Sequence, residues 1–323
     1  MRLLTHPSHQ NTREQSNGTT KRVHAQLELA SGQVVPVFVK QPSSSWLAKL
    51  FVALPRLSQA EVAFYSQLQH QVPIATPHCY IAQHHHTNFI LVLEDLSQSG
   101  ATLRSATQAL SPDEANDMLA ALADMHRQWW ERTTEYKWLA ANCHREQALG
   151  RWLAPTLCRL GLYQARSVVP PELMEPIRRY ARNRQAAQQA MQQGAATLIH
   201  NDPHPANQFV TAAGEPGLLD WQLCRQGPAL RDVAYLLATS LTPNTRRNEE
   251  QNLLAEYLGR LGPLAPSPDK AWLLYRRNIV YATEAMLITA ALKAMMPTPD
   301  TLTLLERTCA AALDLNAFNT FHF

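Results

Sequence analysis

Charge is scarce in this chain. Only 17% of its 323 residues are Asp, Glu, Lys or Arg, and the net charge is +3. A nucleic-acid surface needs clustered basic residues. Here they come as short pairs such as Arg178-Arg179 and Arg276-Arg277, which read as solvated helix faces, so no nucleic-acid partner is expected. The cysteines are Cys79, Cys143, Cys158, Cys224 and Cys309, an odd number with no C-x-x-C. That argues against a disulfide framework or a zinc ribbon and for a reducing compartment. No apolar run approaches the ~20 residues that cross a bilayer, and residues 1–13 lack the apolar stretch of a secretory signal. The expectation is a cytoplasmic protein without a membrane span. No G-x-x-x-x-G-K-[ST] occurs either, which argues against a P-loop nucleotidase. What the chain does have is 46% apolar residues, enough to build a sizeable core.

The hydrophobic pattern divides the chain. Val23, Ala25, Leu27 and Leu29 alternate with polar residues, the period of a half-buried strand. Ser31-Gly32 supplies a turn, and Val34–Lys40 is a second, β-branched strand. Pro36 suggests an edge or a bulge there. Ser58 is placed to cap a helix from about Gln59 to Gln69. Two further strands, Tyr80–Gln83 and Phe89–Leu93, flank a polar turn containing His84-His85-His86, which reads better as a turn than as a metal site because adjacent strand residues face opposite ways. From Ser111-Pro112-Asp113-Glu114, a helix start with acids at the positive dipole end, the pattern becomes helical. The fold class expected is α+β: a small antiparallel-sheet lobe with one helix over residues 1–95, and a larger, mainly helical lobe over residues 96–323.

The segment Leu198–Asp220 carries the chemistry. It holds His200-x-Asp202, then Asn207 five residues after the Asp, then Asp220 thirteen after the Asn. Phosphoryl transfer needs a carboxylate to take the acceptor proton and oxygen ligands to hold Mg²⁺ against the nucleotide phosphates. An Asp and an Asn five apart can turn into one cleft, and a later Asp at a strand end can reach the same metal. Asp202 is therefore the candidate catalytic base, and Asn207 and Asp220 are the candidate metal ligands. A zinc site from His200 and His204 is disfavoured, because Pro203 and Pro205 flank His204 and spoil a helix there. Upstream, Lys40 ends a strand and Glu61 opens a helix, the context for a phosphate-binding Lys and the acid that holds it.

These residues resemble the Brenner-type loop of the aminoglycoside phosphotransferase and choline kinase superfamily, closest to its ecdysteroid-kinase-like branch. The resemblance is carried by Leu93-Glu94-Asp95-Leu96, Trp129-Trp130, the run His200–Asn207, Asp220-Trp221-Gln222, Gly227-Pro228 and Arg231-Asp232, and it extends from about Gly18 to Ser240. Asn201 departs from that loop's usual H-G-D; Asn tolerates unusual backbone angles. The resemblance implies a protein-kinase-like bilobal fold, ATP and Mg²⁺ as cofactors, and a small hydroxylated molecule as acceptor. It implies a hinge at Glu94 and Leu96 whose backbone meets the adenine edge. It also implies a phosphate-covering loop, for which the poor match Ser16-Asn17-Gly18-Thr19-Thr20 offers Ser16, Gly18 and Thr19. It assigns Asp232 to bracing the catalytic loop, and His200 reads as a second brace.

Trp129, Trp130, Trp152, Trp221 and Trp272 are candidates for an acceptor pocket, Trp221 best placed because it follows Asp220. The helical part shows no acidic cluster, so a cationic antibiotic is disfavoured as the acceptor. Two alternatives stay open. One is a pseudokinase that binds nucleotide without turnover. The other, a protein kinase, is weakened by the absence of D-F-G and A-P-E segments after Asp220.

Overall fold

The computed structural model describes residues 2–4, 20–42, 56–86, 88–293 and 295–323. They divide into two compact units. One holds the described residues up to Leu103 together with Phe209–Gln222; the other holds Arg104–Gln208 and Leu223–Phe323.

The first unit is built on an antiparallel sheet of β1 (Arg2–Leu4), β2 (Thr20–Glu28), β3 (Val34–Pro42), β4 (Cys79–His85) and β5 (Asn88–Glu94), in the order β1-β2-β3-β5-β4. The β2–β3 hairpin turns where Ser31-Gly32 places it, with Gly32 at φ 81°. Leu27, Val37, Val39 and Val92 pack into a buried cluster on one face, as the two-residue alternation predicts. Helix α1 (Leu57–Gln67) lies against β4 and β5. Short strands Thr102–Leu103, Gln208–Val210 and Pro216–Leu218 make a second small sheet, and Ala75 bridges Gly217 beside it.

Two local expectations need correction. Pro36 is not on an edge: β3 lies between β2 and β5. Its carbonyl accepts from Asp95 N–H (3.4 Å), so its missing N–H points the same way, just past Glu94, the last β5 residue paired with β3. Ser58 does not cap α1. The residue before the helix is Arg56, in a left-handed conformation at φ 57° with no side-chain cap, and Ser58 is buried within the first turn.

The second unit is mainly helical: α2 (Pro112–Gln128), α3 (Lys137–Gln164), α4 (Pro171–Arg182), α5 (Arg184–Met191), α6 (Leu230–Ser240), α7 (Pro243–Leu261), α8 (Pro268–Leu292) and α9 (Thr298–Asp314). Helix α2 begins with a reciprocal capping box, Ser111 N–H to Glu114 Oε2 (2.8 Å) and Glu114 N–H to Ser111 Oγ (3.2 Å). A strand pair, Ala196–Ile199 with Arg225–Pro228, brackets the loop that starts at His200. Helix α6 is buried along its whole length. Glu284 on α8 gathers α4 and α5: it accepts from Tyr180 Oη (2.6 Å) and Gln188 Nε2 (3.1 Å) and pairs with Arg184. Among the described residues no helix is long and apolar enough to cross a membrane.

Helices α3 and α8 meet at Gly161, where a Cβ would stand 1.9 Å from the Leu287 carbonyl oxygen. Gly161→Ala must therefore push two backbones apart, and we expect it to cost about 1–3 kcal/mol of stability. Gly259, on α7, has nothing within 4 Å of the same position. Gly259→Ala should instead stabilise by about 0.5–1 kcal/mol through helix propensity. Urea unfolding of the two variants checks the opposite signs.

Candidate functional site

The first unit brings three of the predicted residues together. Lys40 lies within β3, which runs on to Pro42, so it does not end its strand; it is 5% exposed. Its Nζ donates to Glu61 Oε1 at 2.7 Å and stands 3.2 Å from Asp220 Oδ1. Burial pushes the Glu61 carboxyl above its usual range, against the pull of the Lys40 ammonium. Asp220 follows strand Pro216–Leu218 in a left-handed conformation, φ 64°, which turns the chain there. Asp is among the few side chains that accept such an angle readily. The next residue, Trp221, is fully buried and stacks flat on Phe64, ring centroids 3.9 Å apart and planes within 6°, while its Nε1–H donates to Leu218 O. Phe64 lies one turn beyond Glu61 on α1, so one helix face holds both the acid and the stacking partner. Trp221 is thus packing that anchors the Asp220 turn, not the wall of an acceptor pocket.

Arg22 joins this cluster, its Nη2 3.5 Å from Asp220 Oδ2. It was not singled out from the sequence, although a hairpin centred on Ser31 pairs Arg22 with Lys40. Strand register was the signal that would have found it.

The second unit brings together Asp202 and Asn207. Asn207 Nδ2 donates to Asp202 O (2.9 Å) and to Asp202 Oδ2 (3.1 Å), so the two side chains meet as the five-residue spacing predicts. His204 Nε2 lies 3.6 Å from Asp202 Oδ2. The loop is braced from below by Asp232 on α6, which is wholly buried. Its two carboxylate oxygens accept from His200 N–H and Asn201 N–H, each at 2.7 Å. His126 Nε2 stands 3.4 Å from the same group. His200 Nδ1 accepts from Asp202 N–H at 3.3 Å. Asn201 sits at φ 72°, the left-handed angle for which the usual glycine is suited, and its Oδ1 accepts from Arg225 Nη2 (3.3 Å). Tyr235, also missed from the sequence, hydrogen-bonds Asp202. Burial first, then the Asp202 charge, pushes its phenol well above the ordinary value, so it is a neutral donor.

Glu94 closes β5, where its Oε2 accepts from His78 N–H (3.1 Å), and Leu96 is buried two residues on. Ser16, Gly18 and Thr19 lie outside the described residues. Of the other aromatic candidates, Trp129 is buried and Trp152 is exposed.

The family model described as the phosphotransferase enzyme family matches residues 27–271. A comparison with curated proteins found no match. Among solved structures, the chain is similar to the ethanolamine kinase of Plasmodium vivax, at 12% identity and TM-score 0.55 over 95% of this chain and 81% of that one. It is similar to the choline kinase LicA of Streptococcus pneumoniae, at 12% identity and TM-score 0.53 over 99% and 95%. It is also similar to an aminoglycoside phosphotransferase from Alicyclobacillus acidocaldarius, at 15% identity and TM-score 0.50 over 98% and 90%. These likenesses show the fold class expected from the sequence: a kinase-like fold with an antiparallel-sheet part and a mainly helical part.

The segment after β5 carries a titratable brace. Asp95 is buried and accepts from Ser97 Oγ (2.6 Å), Ser97 N–H (3.1 Å) and Gln98 Nε2 (3.2 Å), with His24 Nδ1 2.7 Å away. Burial alone would raise its pKa, but the Ser97 and His24 hydrogen bonds override it and hold the carboxyl below its usual value. A depressed folded pKa contributes stability that is fully present above the unfolded value, about pH 4, and is lost as pH falls through the folded value. The stability difference between wild type and Asp95→Asn, measured by urea unfolding, should be constant at neutral pH and shrink below about pH 4.

Proposed function

The chain belongs to the phosphotransferase enzyme family, and on that footing we propose that it moves the γ-phosphoryl group of ATP to a hydroxyl of a small molecule. The observation that carries this reading is the buried Lys40 ammonium, held by Glu61 and adjacent to Asp220. A strand Lys that contacts nucleotide phosphates must be fixed by an acid and must lie close to the metal carboxylate.

In this reading Lys40 neutralises phosphate charge and Glu61 fixes its position. Asp202 accepts the proton of the acceptor hydroxyl as that oxygen bonds to phosphorus and the bond to ADP breaks. Tyr235 and Asn207 each donate to Asp202, which orients the carboxylate. Asp220 and Asn207 are assigned to Mg²⁺. One carboxylate and one amide oxygen are hard donors, and they suit an ion that keeps its remaining positions for water and phosphate. When bound there, Mg²⁺ would supply charge neutralisation for the nucleotide phosphates. Asp232 acts through the loop, because its two backbone contacts fix the turn that presents Asp202. Glu94 and Leu96 are assigned to the adenine edge and Ser16, Gly18 and Thr19 to covering the phosphates.

Asp202→Asn tests the base. It should keep ADP affinity by calorimetry and lose about 10²–10⁴-fold in ATP turnover. A variant that turned over at the wild-type rate would remove Asp202 from the role. A wild type that bound ATP yet hydrolysed it no faster than Asp202→Asn would favour a nucleotide-binding module without turnover.

Lys40 and Glu61 should behave as one unit. Lys40→Ala and Glu61→Ala should each lower turnover, with Lys40→Ala the more severe. The double variant should cost less than the sum of the two, by about 0.5–3 kcal/mol in activation free energy. Strictly additive losses would mean that the pair in the structure is not the pair that acts.

A further inference from the structure

Helix α3 carries an uncovered face in the second unit. Trp152 is 76% exposed and Tyr163 67%, with Leu153 and Leu160 exposed beside them. Trp152, Thr156, Arg159, Tyr163 and Arg166 follow one another at steps of four and three residues, so they make one stripe along the helix and past its C-terminal end. Two arginines lean on the two rings. The Arg151 guanidinium carbon lies 5.6 Å from the centre of the Trp152 ring, and that of Arg166 lies 4.8 Å from the centre of the Tyr163 ring.

The stripe borders a groove of about 180 Å³, lined by Arg159, Leu162, Tyr163 and Arg166 on one side and by Met174 and Arg178 of α4 on the other. Three guanidiniums therefore share one groove with apolar side chains. Neither acid of α4, Glu172 or Glu175, lines it, and Glu175 is already shared between Arg178 (3.8 Å) and Arg182 (2.6 Å). Arg166 commits one N–H to the Tyr163 carbonyl (3.0 Å). Between Glu146 and Glu172 the sequence holds Arg151, Arg159 and Arg166 and no Asp, Glu or Lys.

A contiguous exposed patch of aromatic and leucine side chains marks a surface that meets something else. Charge decides what fits. A second copy of the same face would set arginine against arginine, and like charges brought together repel. A bilayer with anionic headgroups offers phosphates that match the guanidinium fork. It also offers the interfacial zone in which Trp and Tyr settle. Arginine stems can lie on the apolar part of the face while their heads stay among the phosphates.

We propose that this face of α3, with the arginine groove beside it, docks the second unit on a membrane surface rich in anionic phospholipid. The docking is peripheral: an apolar stripe and its cations lie in the headgroup region, and no described helix crosses the bilayer. It does not depend on the reaction the protein carries out.

The test is flotation of the full chain with vesicles of phosphatidylcholine alone or of phosphatidylcholine mixed with phosphatidylglycerol. The wild type should float with the mixed vesicles and not with phosphatidylcholine alone, and sodium chloride should weaken the binding. Trp152→Ser/Tyr163→Ser and Arg159→Gln/Arg166→Gln should each lose about tenfold or more in vesicle affinity. Both should melt close to wild type, because all four side chains are exposed. Lys270→Gln, which removes an exposed cation at the start of α8, should bind like wild type. No flotation with the anionic vesicles, undiminished binding by the two double variants, or an equal loss in Lys270→Gln would overturn the proposal. A wild-type dimer in sedimentation velocity that Trp152→Ser/Tyr163→Ser dissociates would overturn it by giving the face to a second copy. Release from the vesicles by inorganic phosphate, at an ionic strength where chloride releases nothing, would overturn it by giving the groove to a soluble anion.

Discussion

One buried ammonium organises the first unit. Lys40 has almost no contact with water, and a cation in that position is tolerable only with carboxylates beside it. Glu61 and Asp220 supply them from a helix and from a turn more than 150 residues further along the chain. The same two segments are joined by an uncharged contact, the flat stack of Phe64 on Trp221. Electrostatic need and aromatic packing therefore fix the same geometry from two directions. The ion pair alone would be a weak source of stability, since desolvation offsets most of its attraction. The stack lets the charges stay where the chemistry requires them.

The second unit solves the inverse problem with an anion. Asp232 is wholly buried, and its charge is spread over two backbone N–H groups of the loop it supports. Those bonds compensate its desolvation and at the same time hold Asn201 in its left-handed angle. From that angle the chain delivers Asp202 to Asn207 and Tyr235.

Much of this was legible in the sequence because it rests on short-range spacing. The hairpin of β2 and β3, the helix start at Ser111 and the meeting of Asp202 with Asn207 each follow from residues within a few positions of one another. Lys40 and Glu61 were readable as a pair, a strand Lys and the helix acid that holds it, but the approach of Asp220 to Lys40 was not, since nothing local says that a distant turn converges on them. Trp221 was misread for the same reason. Its place after Asp220 was visible, its partner Phe64 was not, and only the partner says that the ring is packing. Tyr235 and Arg225 were invisible because Tyr and Arg on amphipathic elements have many bland explanations. Pro36 looked like an edge residue because the rule for proline concerns a missing donor. The structure meets that rule by ending the β5 ladder one residue early rather than by exposing the strand.

Glu284 has a consequence for the order in which the chain can assemble. Its partners Tyr180, Arg184 and Gln188 lie about a hundred residues upstream, on α4 and α5. During synthesis those helices emerge first, and the Arg184 guanidinium has no buried carboxylate to meet until α8 follows. Burying it earlier would strand a charge in a low-dielectric interior at a cost of several kcal/mol. The α4–α5 region must therefore stay loosely packed until the C-terminal helices arrive. Contacts of such sequence separation slow folding, because a long loop is closed before any reward is gained. The helical unit should consolidate late and from its C-terminal half, and a chain cut short before α8 would leave α4 and α5 as recognition sites for the cell's folding surveillance.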